Sequence, residues 1–242
     1  MALILNIETA TSLCSVALAE DDNVLSMRES FEDKSHALKL PIFISEVLKE
    51  QKLTMKKMDA VAVGSGPGSY TGLRIGVSTA KGIAYGAKIP LIALSTLETM
   101  FNYAINIIKR DKLVVPIDSS VLFCPMIDAR RMEVYMALFD YSGKRVENDK
   151  AMVINKNSFS EMLTTRSIVF FGNGSLKCRE IISHRNAYFI DNVYPSASAM
   201  VPLSFRFYKE EKYEDIAYFE PFYLKDFIAG ISKKGALGLS QK

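Results

Sequence analysis

The sequence predicts an α/β protein of two lobes, each a mixed sheet flanked by helices, and three observations predict it. The chain opens with three short apolar runs joined by polar turns too brief for anything but an antiparallel meander. From residue 60 to 108, strand-length apolar runs alternate with helical patterns. Beyond a polar, irregular passage at 111–120 the same succession returns in shorter form, with no repeat of the sequence itself. We therefore expect a first lobe over 1–110, a smaller second lobe over 111–228 and a flexible tail over 229–242.

In chain order, Leu3–Ile7, Ser12–Leu18 and Val24–Met27 are the meander strands, separated by polar turns at 8–12 and 20–23. Ser35–Glu50 follows as a helix with Ser35 as N-cap and a kink at Pro41, where the ring removes a backbone donor. Ala37, Leu40, Phe43, Ile44, Val47 and Leu48 fill an arc of roughly 140° on it, the width of one core-facing stripe. Leu38 and Ile42 make a second apolar strip, which suits either burial on two sides or contact with a partner chain. Ala60–Val63 is a buried strand, and Thr71 to about Tyr85 a helix capped by Ser69 or Thr71. Ile89–Leu94 is the next strand, and Ser95 caps a helix that runs through Ile108. In the second lobe, strands are expected at Val121–Ile127, Glu133–Phe139, Arg145–Ile154, Ser167–Phe171 and Tyr188–Ile190. Helices are expected after Asn157, over Ser175–Ser183 and over Ser196–Tyr208. Pro221–Lys225 reads as an ordered docking segment.

Two features carry possible chemistry. Gly64, Gly66 and Gly68, between a buried strand and a helix N-terminus with Ser69 at its start, form a loop able to receive an anion or simply to turn tightly. Its spacing is neither G-x-G-x-x-G nor the phosphate loop with its lysine. The helix that follows carries Gly72, Gly76, Ala80 and Ala84 at four-residue intervals beside Leu73, a stripe with almost no side chain along which another backbone can approach. Its neighbour is either the 35–50 helix of the same chain or a second subunit.

Composition removes several function classes. Of 242 residues 49% are hydrophobic and 24% charged, and 30 basic residues against 27 acidic ones give +3, too little for a general electrostatic hold on nucleic acid. Cys14, Cys124 and Cys178 are scattered, without C-x-x-C spacing, as in a reduced cytoplasmic protein with neither disulfide framework nor zinc ribbon. No apolar stretch approaches membrane-spanning length, and the N-terminal run is interrupted by Asn6 and Glu8, unlike a signal peptide.

The meander with its first turn Glu8-Thr9-Ala10-Thr11-Ser12 resembles the β-β-β-α-β-α-β-α unit of the actin, sugar-kinase and Hsp70 superfamily, where an acidic residue followed by Thr/Ser faces nucleotide phosphate. An ordinary polar hairpin turn is the alternative. Together with Gly66-Pro67-Gly68-Ser69-Tyr70-Thr71-Gly72-Leu73-Arg74-Ile75-Gly76, Ser95-Thr96-Leu97-Glu98, Asp128-Ala129-Arg130-Arg131-Met132-Glu133-Val134-Tyr135 and Tyr223-Leu224, it resembles the bacterial TsaB (YeaZ) family over nearly the whole chain. The resemblance implies the two-lobed actin/Hsp70-like fold and a cytoplasmic role in making threonylcarbamoyladenosine next to the anticodon of tRNAs reading ANN codons. It further implies a non-catalytic partner of the catalytic homologue TsaD, acting with the ATPase TsaE, forming a homodimer when alone, and reaching tRNA through the complex; such proteins are also labelled glycoprotease-like or peptidase M22-like. In catalytic homologues two histidines at i, i+4 hold a metal; here Thr96 and Met100 stand in those places, and a hydroxyl and a thioether do not replace imidazoles. Of His36 and His184, the only histidines, His36 is expected at the surface or an interface rather than as a ligand, and His184 exposed at the end of the 175–183 helix.

On this basis no catalytic residue, metal or cofactor is expected. Leu38, Ile42, Gly72, Leu73, Gly76, Ala80 and Ala84 are the expected subunit interface, and Glu8, Thr9, Ser12, Gly66, Gly68 and Ser69 a vestigial phosphate loop. The competing reading is an actin-like ATP-dependent phosphotransferase or ATPase, or an M22-type metallo-hydrolase, built on those same loop residues.

Overall fold

The computed structural model describes residues 1–32, 35–113, 115–116 and 120–225. The expected tail at 229–242 and part of the expected boundary at 111–120 lie outside the described residues. Strands β1 (Leu3–Glu8), β2 (Cys14–Glu20), β3 (Asn23–Ser30), β4 (Ala60–Gly66) and β5 (Leu91–Ser95) form a five-stranded sheet in the order β3-β2-β1-β4-β5. The first three are antiparallel; β4 runs parallel to β1, and β5 to β4. A second five-stranded sheet holds β6 (Leu122–Asp128), β7 (Glu133–Asp140), β8 (Arg145–Val153), β9 (Ile168–Phe171) and β10 (Ala187–Ile190) in the order β8-β7-β6-β9-β10. Counted from its own first strand, it has the order and strand directions of the first sheet. The two-lobed, actin-like fold with two tandem mixed sheets is therefore what the chain adopts.

Burial follows position in the sheet. The central strands β1 and β4 are covered on both faces and read as nearly unbroken apolar runs, whereas the edge strands β3 and β8 keep many positions exposed or half-buried. Helices α1 (His36–Glu50) and α2 (Tyr70–Ala87) cover one face of the first sheet, with Leu40, Ile44, Val47, Val77, Ala80 and Ala84 packed on Leu5, Ile7, Val16, Val61 and Val63.

The two remaining long helices are exchanged between the lobes. α3 (Thr96–Asp111), which follows the first sheet in sequence, lays Leu97, Phe101, Ala104 and Ile108 on Phe123, Phe139, Val169 and Phe171 of the second sheet. α5 (Ala197–Lys209), which follows the second sheet, lays Ala197, Met200, Val201 and Leu203 on Ile4, Ala17, Ala62 and Leu94 of the first. Strands sort by sequence on either side of 111–120, but these helices do not. Helical periodicity defines which face of a helix is apolar, not which sheet receives it. α4 (Ser160–Thr165) closes the far side of the second sheet.

Several local expectations are corrected. Ser35 precedes α1 but makes no side-chain cap bond; its hydroxyl donates to the Glu32 carbonyl at 2.5 Å. α1 runs from His36 to Glu50 with Pro41 inside it, on its exposed side. The helix expected over 175–183 is only a 3-10 turn at Leu176–Cys178. There the Ser175 hydroxyl donates to the Gly172 carbonyl at 2.8 Å and Lys177 is tied to the Arg131 and Glu133 carbonyls, so local side-chain bonds displace helical ones.

The C-terminal part of the described chain returns to the first sheet. The Glu214 N–H donates to the Leu91 carbonyl at 2.8 Å, Ile216 and Phe219 join the first core, and the Lys81 ammonium donates to the Phe219 carbonyl at 2.8 Å. The expected docking segment is ordered: the Phe222 N–H donates to the Ser65 carbonyl at 2.8 Å, and the Tyr223 ring lies 4.9 Å from that of Tyr70. Lys225 then pairs with Glu133 at the start of β7.

Candidate functional site

The β1–β2 turn, the glycine loop and α2 form one interlocked unit. Glu8 ends β1 fully buried, its Oε1 accepting the Ala10 N–H at 2.7 Å. Glu8 Oε2 and the nearby Thr96 Oγ1 are both buried without a hydrogen-bond partner. Burial pushes the Glu8 carboxyl up to about 7; the backbone donors of Ala10 and Thr9 and then the Thr96 hydroxyl oppose that rise, although no bond of good geometry joins Glu8 to Thr96. Gly64 has no side chain for a plain reason: a Cβ there would overlap the Glu8 carboxylate.

Two of the backbone donors at this loop are used within the chain. The Ser69 N–H donates to the Ala10 carbonyl at 2.7 Å, and the Ser69 hydroxyl caps α2 by accepting the Gly72 N–H at 3.2 Å. A Cβ at Gly68 would overlap Ala10, so the β1–β2 turn packs directly on the glycine loop. Gly66, at φ +113°, lies under the C-terminal segment, and a Cβ on it would stand 2.8 Å from the Phe222 carbonyl oxygen. Of the expected phosphate-loop residues, Glu8, Thr9, Gly66, Gly68 and Ser69 are thus brought together, but around a protein turn. Ser12 is exposed.

The small-residue stripe is also consumed inside the chain, a correction to the expected interface. Thr9 Oγ1 donates to the Gly72 carbonyl at 2.8 Å, and a Cβ at Gly72 or Gly76 would overlap the Thr9 carbonyl or hydroxyl oxygen. Leu73, Ala80 and Ala84 are completely buried. The backbone that approaches the stripe is that of the chain's own first turn, so Gly72, Leu73, Gly76, Ala80 and Ala84 offer nothing to a second subunit. Leu38 and Ile42 are 74% and 53% exposed on the outer face of α1. On α2, which touches α1, Ser78, Gly82, Tyr85 and Gly86 are exposed, with Tyr85 79% exposed and nothing within 4 Å of a Cβ placed on Gly82 or Gly86. Sequence reasoning missed this outer row, although its signal was available: 78, 82 and 86 repeat the four-residue interval of small residues, offset by two positions from the inner stripe.

Thr96 and Met100 are fully buried in the first turns of α3, and the Met100 methyl lies under Gly172, where it fills the volume a Cβ would need. Among the described residues no group of three or more His, Cys, Asp or Glu side chains is placed to hold a metal ion. His36, expected at the surface or an interface, is buried, and its Nε2 is 2.8 Å from the Thr11 carbonyl oxygen; it pins the β1–β2 turn from the α1 side. His184 is exposed, its Nδ1 accepting the Asn186 N–H at 3.1 Å, in a turn and not at a helix end.

Comparison with known proteins places these features in a family context. The family model for TsaD, tRNA N6-adenosine threonylcarbamoyltransferase, matches residues 30–233. The tRNA threonylcarbamoyladenosine biosynthesis protein TsaB of Escherichia coli is 30% identical over 232 residues, covering 93% of this chain and 96% of that protein. TsaB of Bacillus subtilis is 31% identical over 185 residues, 74% of each chain. Among solved structures, a Pseudomonas aeruginosa protein described as similar to peptidase YeaZ superposes with a TM-score of 0.77 at 22% identity, over 93% of this chain and all of that one. YeaZ from the same organism gives 0.74 at 21%. These two structural likenesses bear on the fold alone.

Proposed function

This chain belongs to the TsaB (YeaZ) family of tRNA threonylcarbamoyladenosine biosynthesis proteins, and on that premise we propose that it serves as a non-catalytic subunit of the assembly that places threonylcarbamoyl on tRNA adenosine next to the anticodon of ANN-reading tRNAs. Its partner is TsaD, with TsaE joining the complex and tRNA reached through it; alone, the same face closes on a second copy. The observation that carries the reading is the exposure of large apolar side chains on two helices that touch, Leu38 and Ile42 on α1 and Tyr85 on α2, with Gly82 bare of neighbours. Two large aliphatic side chains and an aromatic one, bordered by bare backbone, are what close helix-to-helix association buries.

Leu38→Asp combined with Ile42→Asp should weaken association with TsaD about thirtyfold or more, since two buried aliphatic side chains become charges in an apolar contact. The variant's urea midpoint should stay close to that of the parent, because neither side chain is in the core. Unchanged affinity measured by calorimetry would remove α1 from the interface.

The non-catalytic part of the proposal rests on the occupied cradle. With the Ser69 N–H spent on Ala10 and Gly66 covered by Phe222, an incoming phosphate would have to displace two segments of the protein. Titration of the isolated chain with ATP and magnesium should therefore show no micromolar binding; a micromolar constant would restore the phosphotransferase or ATPase reading.

A further inference from the structure

A crevice of about 370 Å³, away from both the glycine loop and the outer face of α1 and α2, opens where the two lobes meet. It is lined by Leu13 at the end of the β1–β2 turn, Glu29 of β3, Phe31 just beyond, Tyr103 of α3, and Asn192 and Tyr194 from the loop that leads into α5. Three aromatic rings and one carboxylate dominate this lining. Phe31 and Tyr194 meet edge to face with centroids 4.7 Å apart, and Phe31 is still 52% exposed.

The carboxylate is held in place, yet only on one side. Glu29 Oε1 accepts from the Ser15 hydroxyl at 2.7 Å and from the Ser196 hydroxyl at 2.6 Å, so β2 and the N-cap of α5 both fix it. Ser15 Oγ is itself fixed by accepting the Ala197 N–H at 2.8 Å. Both hydroxyls use the same oxygen, and among the described residues no Lys, Arg or His pairs with Glu29. Arg110 lines an adjoining pocket of about 320 Å³ that shares Tyr103. It is spent bidentately on Asp111, with Nε to Oδ1 at 2.6 Å and Nη2 to Oδ2 at 2.9 Å. Tyr103 remains a neutral phenol, raised first by burial and then by the Glu29 charge.

We propose that this crevice is a binding site for an organic cation, a guanidinium group foremost. A positioned carboxylate with one open oxygen can accept a guanidinium N–H, while the faces of Tyr103, Tyr194 and Phe31 give the planar cation a quadrupole to lie against. An anion would meet Glu29, and a neutral ring would stack but leave the carboxylate without its counter-charge. The same chemistry is offered by an arginine side chain on a polypeptide and by a free small amine.

The test titrates the full chain, by calorimetry or ligand-observed NMR, with N-acetylarginine amide, agmatine, spermidine and the neutral isostere N-acetylcitrulline amide. The arginine amide and agmatine should bind at millimolar concentration or below, and the citrulline amide should bind about tenfold more weakly or not at all. Glu29→Gln keeps an acceptor for both serine hydroxyls and so keeps the fold, and it should lower cation affinity by a similar factor. Phe31→Ser, at a half-exposed ring outside the core, should do likewise and stands in if the glutamine variant fails to fold. Preference for the arginine amide over spermidine would identify a polypeptide side chain as the source, and the reverse a free amine. Absence of millimolar binding by all the cations, or equal binding of the citrulline amide, would overturn the proposal.

Discussion

Gly72→Ala is expected to cost about 3 kcal/mol of folding free energy, whereas Gly82→Ala on the same helix should gain up to about 1 kcal/mol. Both replace a helix glycine by the best helix former, so propensity predicts the same small gain at each. Packing separates them. A methyl at position 72 would overlap the Thr9 backbone carbonyl, which cannot rotate away as a flexible side chain would. Relief requires moving the β1–β2 turn, and that turn is pinned by the Ser69 N–H on Ala10 and by His36 on Thr11. At position 82 nothing lies within 4 Å, so the propensity term stands alone. Urea midpoints of the two variants measure the difference, and a Gly72→Ala protein within about 0.5 kcal/mol of the parent would mean that the turn yields easily. The pair also bears on the interface: because the inner stripe is structural, a bulky residue at Gly76 tests folding, and only substitutions on the outer row or on Leu38 and Ile42 test association.

The contrast between inner and outer rows shows where the sequence is informative. Four small residues at four-residue spacing correctly announce that something approaches α2 closely. They do not say what approaches, because the approaching atoms belong to Thr9, 63 residues from Gly72 along the chain. The strands were legible for a local reason: central ones are buried on both faces and become unbroken apolar runs, as in Leu3–Ile7 and Ala60–Val63. The docking of Pro221–Lys225 was legible too, since a proline followed by aromatics is poor material for a solvated tail. Exchange of α3 and α5 was not, as both helices have one ordinary apolar face and neither sequence names its sheet. His36 misled because a histidine beside a helix N-terminus looks solvent-facing until the carbonyl it meets, that of Thr11, is brought in by the fold. The Glu29 crevice was invisible for the same reason, its lining being drawn from four separate stretches of the chain.

Glu8→Gln should stabilise the protein by about 3 kcal/mol above pH 8 and have little effect at pH 4. The folded chain holds the Glu8 proton up to about 7, against 4.5 for an ordinary glutamate, with burial as the main cause. Its folded value is raised, so the folded state binds the proton more tightly than the unfolded one. The stability this supplies is fully present below pH 4.5, declines as pH rises, and is gone above 7, where the protein must bury a charge whose Oε2 has no partner. Glutamine removes that charge at every pH and retains an oxygen to accept the Ala10 N–H, while its amide N–H can donate to the partnerless Thr96 hydroxyl. The other titrating groups are common to both proteins and cancel in the difference. Denaturant midpoints of parent and variant at pH 4, 6 and 8.5 should therefore diverge with rising pH; a constant difference would show that folding does not shift the Glu8 titration. The carboxylate ends β1 and faces Gly64 and Thr96. The charge the fold would be more stable without lies against Gly64, whose missing side chain leaves it room, so the packing that buries the carboxylate also sets the size of the effect.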